Sequence, residues 1–415
     1  MPNTESGDLS AVNRPADANP WPVLILLCIC VVLSMTTWFS ATAVAPELKT
    51  AWHLSDSIVA WLTNGVQIGF VTGALLASLV NLPDIVRLNR LMAAASFLAA
   101  GTNVLLLLEP GPLGAIACRF ATGMALAAVY PPAMKLVSTW FVRNRGLALG
   151  AVVGALTLGS SMPHLFRTIA EHIDWRLVIG LASTASLIAG LAFLLFAREG
   201  PYPFGKAVFN PRQIGKVLRD RNLFLVNVGY FGHMWELYAM WAWLLIFVRT
   251  AADGVLPPNV ASLITFVAIA AGLIGCVAGG LLSDRFGRTA TTAALMIVSG
   301  LCALLIGFAF SGPTWLIVLI SIIWGIAIVG DSPLFSAAVT ELADRDFVGT
   351  ALSLQMGLGF ALTVFVIWLM PHIAAWLGSW QWSFVILAPG PFIGTWAMMA
   401  LRRSPAAVRL ADGRR

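Results

Sequence analysis

The segment GCVAGGLLSDRFGRTA, Gly275–Ala290, has a counterpart 206 residues earlier in GFVTGALLAS, Gly69–Ser78. Gly69 matches Gly275 and Gly73 matches Gly279, within two otherwise apolar runs. Farther along, Gly123 and Pro131 match Gly325 and Pro333 at an offset of 202. Recurrence at an offset near half the chain length means two related halves, the first a few residues longer between the paired segments. Glycines at helical spacing let two helix backbones approach closely in an apolar medium.

Around these runs the chain is apolar almost throughout, with 59% hydrophobic and 11% charged residues and a mean hydropathy of +0.86. Soluble domains carry about a quarter charged residues. Lipid is therefore the solvent that this composition fits. Stretches of about twenty residues without a fixed charge are long enough to cross roughly 30 Å of hydrocarbon. Predicted spans are 21–43, 57–80, 88–108, 112–134, 145–169 and 174–197, then 222–249, 259–283, 289–310, 313–336, 348–372 and 380–402. The expected fold class is an all-α membrane protein of twelve transmembrane helices in two pseudo-symmetric six-helix bundles. Those bundles are residues 21–197 and 222–402, joined by a polar, basic cytoplasmic linker over 198–221. Residues 1–20 read as a disordered cytoplasmic tail and 403–415 as a basic one.

Charge placement gives the expected orientation. With both termini inside, all of the 25 basic residues except Lys49, Arg119, Arg167, Arg176 and Arg249 fall on the cytoplasmic side. This is the positive-inside pattern, and it assigns the basic balance to topology rather than to a nucleic-acid partner. The first twenty residues lack the basic start of a cleavable signal. All five cysteines lie inside spans, spaced for neither a disulfide framework nor zinc, and read as packing residues. The absence of any Asn-x-Ser/Thr sequon favours a bacterial plasma membrane.

Two motifs carry a family resemblance. GGLLSDRFGRTA, Gly279–Ala290, resembles the signature loop between helices 8 and 9 of the major facilitator superfamily, with Gly279, Asp284, Arg285, Gly287 and Arg288 at its gating or structural positions. Arg119-Phe-Ala-Thr-Gly123 in the fourth span is similar to that family's RxxxG arrangement. The stretch YPPAMKLVSTWFVRNRGLALG, Tyr130–Gly150, resembles nitrate-type and organic-anion porters of the same superfamily, although spans 2 and 8 contain no arginine. The first-half copy of the signature has Ser78 and Leu79 where an acid and an arginine are expected, which implies a weaker or differently built latch there. GAVVGALTLG, Gly150–Gly159, lacks the Gly-Pro pair of many family antiporters.

A charge at the bilayer centre costs about 2.5–3.5 kcal/mol on insertion scales, so each one calls for a partner, a cavity or a function. The candidates are Arg119, Glu236 and Asp331, in spans 4, 7 and 10. The resemblance implies that spans 1, 4, 7 and 10 line a central cavity, which would give all three an aqueous surrounding. Tyr230, His233 and Glu236 follow at steps of three and share a helical face, with Glu236 a candidate proton carrier. His233 can bond that acid or a solute. The alternative for Glu236 is a structural bond to a neighbouring helix. The Arg119 guanidinium suits a carboxylate, or pairs with a membrane acid. Asp331 is equally a cap at the turn broken by Pro333. His164 reads as a satisfied packing histidine. Asn64, Gln67 and Gln355 either line a pathway or bond between helices.

Enzyme signatures are missing: no HExxH pair, phosphate loop or dinucleotide fingerprint occurs. The expectation is a monomeric carrier without cofactor, binding a small solute and protons in a lipid bilayer. Three functions stay open: proton-coupled alternating-access transport of a small polar solute or organic anion, proton-coupled export of amphipathic or cationic compounds, and a transporter-like sensor or lipid-handling protein.

Overall fold

The computed structural model describes residues 19–141, 145–169, 174–202, 211–251, 256–344 and 347–414. The predicted amino-terminal tail and part of the linker lie outside the described residues. Eleven helices among them are long and apolar enough to cross a bilayer: α2 Asp56–Leu79, α3 Leu88–Leu108, α4 Gly111–Ser138, α5 Gly146–Ile169, α6 Trp175–Phe196, α7 Arg221–Thr250, α8 Pro258–Phe286, α9 Arg288–Ala309, α10 Thr314–Leu342, α11 Val348–Leu377 and α12 Ser383–Arg402. The remaining span, α1, is regular only over Trp21–Met35 and continues through two short helical pieces, Ser40–Ala43 and Ala45–Ala51. The predicted first span, 21–43, is thus interrupted at residues 36–39. Together they make the twelve-helix, two-bundle fold.

The repeated glycines do the same work in each half. A methyl group on Gly69 of α2 would lie 2.0 Å from the Phe120 carbonyl of α4, and one on Gly123 would lie 2.0 Å from the Val66 carbonyl. In the second half, a methyl on Gly275 of α8 would lie 2.0 Å from the Ile326 carbonyl of α10, and one on Gly325 would lie 1.7 Å from the Ala268 carbonyl. Backbone meets backbone at both crossings, where no larger residue fits. The paired prolines also correspond. The regular part of α4 ends at Leu126 and resumes at Tyr130, just before Pro131, and α10 breaks at Asp331 before Pro333. Proline lacks an N–H and crowds the preceding turn, so both helices bend there.

Two seams join the bundles. The α2–α11 seam contains a hydrogen bond from Asn64 Nδ2 to the Val364 carbonyl at 3.0 Å. In the α5–α8 seam, Gly154 makes room for Leu273, and a methyl on Gly272 would meet Thr157 Cγ2 at 2.8 Å.

Candidate functional site

The break in α1 sits beside Arg119. Residues 36–39 leave the helix, so the carbonyls at its end lose their usual partners. Arg119 supplies them. Its Nη1 donates to the Thr37 carbonyl at 2.8 Å, to Asn103 Oδ1 at 2.9 Å and to Ser40 Oγ at 3.2 Å. Its Nη2 donates to the Trp38 carbonyl, and its Nε to the Leu62 carbonyl of α2 at 3.3 Å. Asn103 of α3 in turn donates to Ser183 Oγ of α6 at 2.9 Å. The guanidinium is fully buried, and every partner is neutral. Among the described residues no carboxylate reaches it, so the sequence alternative of a membrane ion pair is not the arrangement found.

Glu236 lies in the other bundle. Its Oε2 accepts from Ser299 Oγ of α9 at 2.5 Å, and its Oε1 accepts from Trp324 Nε1 of α10 at 2.7 Å. Both partners are neutral, and the carboxyl is buried. An indole N–H can only donate, so Oε1 is fixed as an acceptor. A serine hydroxyl both donates and accepts. Rotation of the Ser299 hydroxyl therefore lets Oγ donate to a deprotonated Oε2 or accept from a protonated one, with no heavy atom moving.

His233 does not bond Glu236, although the two share a stripe. Its Nδ1 lies 2.8 Å from Asp331 Oδ1 of α10, at ion-pair distance. Asp331 makes no cap bond to the helical piece that follows it. Tyr230 packs its ring against His233 and Phe335, with centroids 5.9 and 5.8 Å away. Two acids thus sit where α7 meets α10, Asp331 of α10 with His233 and Glu236 of α7 with Ser299 and Trp324.

An aromatic cluster crosses between the bundles. Trp38 and Phe39 of the α1 break stack on Tyr238 of α7 at 5.8 and 6.3 Å, and Phe70 of α2 meets Phe360 of α11 at 4.8 Å. Tyr238 and Trp241 belong to this cluster, whereas Trp235 and Trp243 point their indoles at the Ile386 and Ile367 carbonyls. Sequence reasoning singled out Tyr230 and passed over Tyr238, because the partners of Tyr238 come from α1 and α11. Gln355 bonds Asn227 at 3.1 Å, an interhelical link, while the buried amide of Gln67 has no partner among the described residues. His164 is also fully buried, with both ring nitrogens unpartnered, so it is not the satisfied packing histidine expected.

On the face carrying the termini, Arg288 closes the signature loop. It donates to Glu341 Oε1 of α10 from Nε at 3.2 Å and Nη2 at 3.1 Å, to Asp284 at 2.9 Å and to Ser283 at 2.5 Å. Gly287 takes φ +92°, which a residue with a side chain rarely adopts. Gly279 packs against the Gly330 carbonyl, and Arg285 lies over the Phe286 ring at 5.2 Å. The first half has a link of opposite polarity. Asp84 of the loop pairs with Lys135 of α4 at 2.6 Å, and the same ammonium donates to the Pro83 carbonyl at 3.0 Å. Loop cation to helix acid in one half is loop acid to helix cation in the other.

The opposite face holds a group that the sequence reading counted only as scattered charges. Glu47 Oε1 lies 2.5 Å from Arg167 Nη2 of α5 and 3.3 Å from Arg249 Nη1 of α7. Arg167 Nη1 also donates to the Pro258 carbonyl at 3.3 Å and to Ser262 Oγ, both at the start of α8. Glu47 and Arg167 come from the first bundle, and the other three from the second.

The sequence model of the Major Facilitator Superfamily matches residues 27–258 and 254–415. The gallate transporter of Pseudomonas putida is 24% identical over 386 residues, covering 84% of each chain. The MFS-type transporter pytF of Aspergillus terreus is 27% identical over 172 residues, 40% of this chain. The chain spans about half the length of the first curated relatives it matches, 55% and 54%. A crystal structure of a D-xylose–proton symporter superposes with a TM-score of 0.73 at 14% identity, over 94% of this chain and 99% of that one. Matched over nearly its whole length and folded as two related six-helix bundles, the chain belongs to the major facilitator superfamily and is a multi-pass membrane protein.

Proposed function

We propose that the protein is a proton-coupled symporter of small organic anions in the plasma membrane, working by alternating access as a monomer with both termini in the cytoplasm. The carrying observation is the division of buried charge: Arg119 in the first bundle and Glu236 in the second are each bonded only to neutral groups. A buried charge without a counter-ion creates a strong local field. In this reading the field of Arg119 favours an anionic solute, and its hydrogen bonds hold the bent α1 that presents Trp38 and Phe39 to the solute. Glu236 carries the proton, and Ser299 can bond its carboxyl in either protonation state. Asp331 and His233 form a second acid-base pair on α7 and α10, and Tyr230 supports His233.

The gallate transporter among its relatives supports aromatic carboxylates as the class to try first, and the aromatic rings at the bundle interface suit a flat ring. The two loop links, Arg288 with Glu341 and Asp284, and Lys135 with Asp84, hold the inner face while the outer one opens. The test is uptake of labelled gallate into vesicles under an inward proton gradient. Wild type accumulates it. Glu236→Gln keeps the bond from Trp324 but cannot release a proton, so it exchanges gallate in counterflow without accumulating it. Equal accumulation by that variant removes Glu236 from the mechanism.

A further inference from the structure

We infer that Arg167 and Arg249 form an anion-docking site at the outer mouth, occupied at rest by Glu47, and that an incoming carboxylate takes the place of Glu47. The inference deepens the organic-anion reading and rests on it. Connections after odd-numbered spans lie on the face away from the termini, which that reading puts outside; Glu47 follows α1, Arg167 ends α5 and Arg249 ends α7.

Two cations meet one anion here among the described residues. Their pairing is also unsaturated: Glu47 offers only Oε1, while its buried Oε2 and the buried Nε of Arg167 have no partner. A guanidinium is built for two parallel bonds to a carboxylate, so the resting geometry leaves room for a better-fitted one. One turn from Arg167, on the same side of α5, His164 is fully buried with both ring nitrogens unpartnered. It is a further donor for the solute as it passes inward.

Exchange of anions at this site bears directly on opening. Glu47 rides on the Ala45–Ala51 extension of the broken α1, and its contact with Arg249 ties that extension to the second bundle. A soluble carboxylate that captures the arginines frees Glu47 and removes the tie. Arg167 still holds the start of α8 through Pro258 and Ser262. Docking and unlatching are then one event, and a neutral solute of the same shape does neither.

The test uses the full chain in lipid nanodiscs, with amide hydrogen exchange of residues 45–51 and 258–265 followed against concentration of benzoate, benzyl alcohol and chloride. Benzoate speeds exchange in residues 45–51, and the other two do not. Glu47→Gln removes the resident competitor, so residues 45–51 already exchange fast without benzoate and the midpoint, read at residues 258–265, falls roughly tenfold, whereas Arg249→Gln removes half the site and raises it roughly tenfold. A merely structural ion pair moves both variants the same way or neither, and that result overturns the inference. So does an equal response to benzyl alcohol or to chloride. The readout needs no transport. Benzoate docking in a protein that accumulates no organic anion supports this site and removes the uptake reading, while accumulation with residues 45–51 unresponsive removes this site alone.

Discussion

Replacing Arg119 by glutamine strips the α1 break of its support. Three of its five acceptors are main-chain carbonyls, those of Thr37, Trp38 and Leu62, in a region with no water to replace it. A glutamine amide brings two N–H groups on a shorter stem, so at least two bonds to a charged donor disappear, worth about 1.5–3 kcal/mol each. Against this, the variant no longer buries a guanidinium, which recovers part of the loss. A net destabilisation of roughly 2–4 kcal/mol, at about 2–4 °C per kcal/mol for a bundle-sized domain, lowers the unfolding midpoint by about 5–15 °C. Intrinsic fluorescence during heating of the detergent-purified protein reads this directly. Arg119→Lys separates charge from geometry. It keeps the charge but has no fork to span carbonyls from both α1 and α2, so its midpoint falls between the other two. A glutamine variant within 1–2 °C of wild type, or a lysine variant equal to it, refutes the view that the fork holds the break; these thresholds are set from the same scale.

Other consequences follow from the packing and the loops. Gly325→Ala places a methyl 1.7 Å from the Ala268 carbonyl and forces α8 from α10, so folded yield in membranes drops sharply. Gly180→Ala on α6, with open space around it, leaves yield unchanged or raises stability by about 0.4–1 kcal/mol. Lys135→Glu sets two acids against each other and slows gallate exchange, and adding Asp84→Lys restores it by rebuilding the pair with reversed sign. Failure of the double variant to recover would show that Lys135 acts through something other than Asp84. Acidifying the outside of wild-type vesicles raises gallate accumulation, and Glu236→Gln flattens that dependence.

The parts of the fold that the sequence exposes are those where geometry forbids alternatives. Gly69 and Gly275 touch backbone in the same way, so only glycine serves, and the constraint leaves matching letters at a constant offset. Glu236 was legible as a charge inside an apolar run. Its partners were not, because Ser299 and Trp324 are ordinary membrane residues on helices 63 and 88 positions away. The α1 break was hidden for a related reason: TTWFS, residues 36–40, contains neither glycine nor proline, and the break is held by Arg119, 82 positions beyond Thr37. The Asp84–Lys135 link escaped notice because the comparison of halves looked for an acid and an arginine at Ser78 and Leu79, whereas the same job is done with the opposite polarity in a longer loop.

The central claim is that an organic anion and a proton cross together, the proton by way of Glu236. Vesicles holding a pH-sensitive dye, with no gradient imposed and gallate added outside, test it most directly. The account predicts that the interior of wild-type vesicles acidifies as labelled gallate enters, and that Glu236→Gln vesicles show neither net entry nor acidification. Gallate entering wild-type vesicles with no change of internal pH, or the same acidification in both proteins, would contradict it.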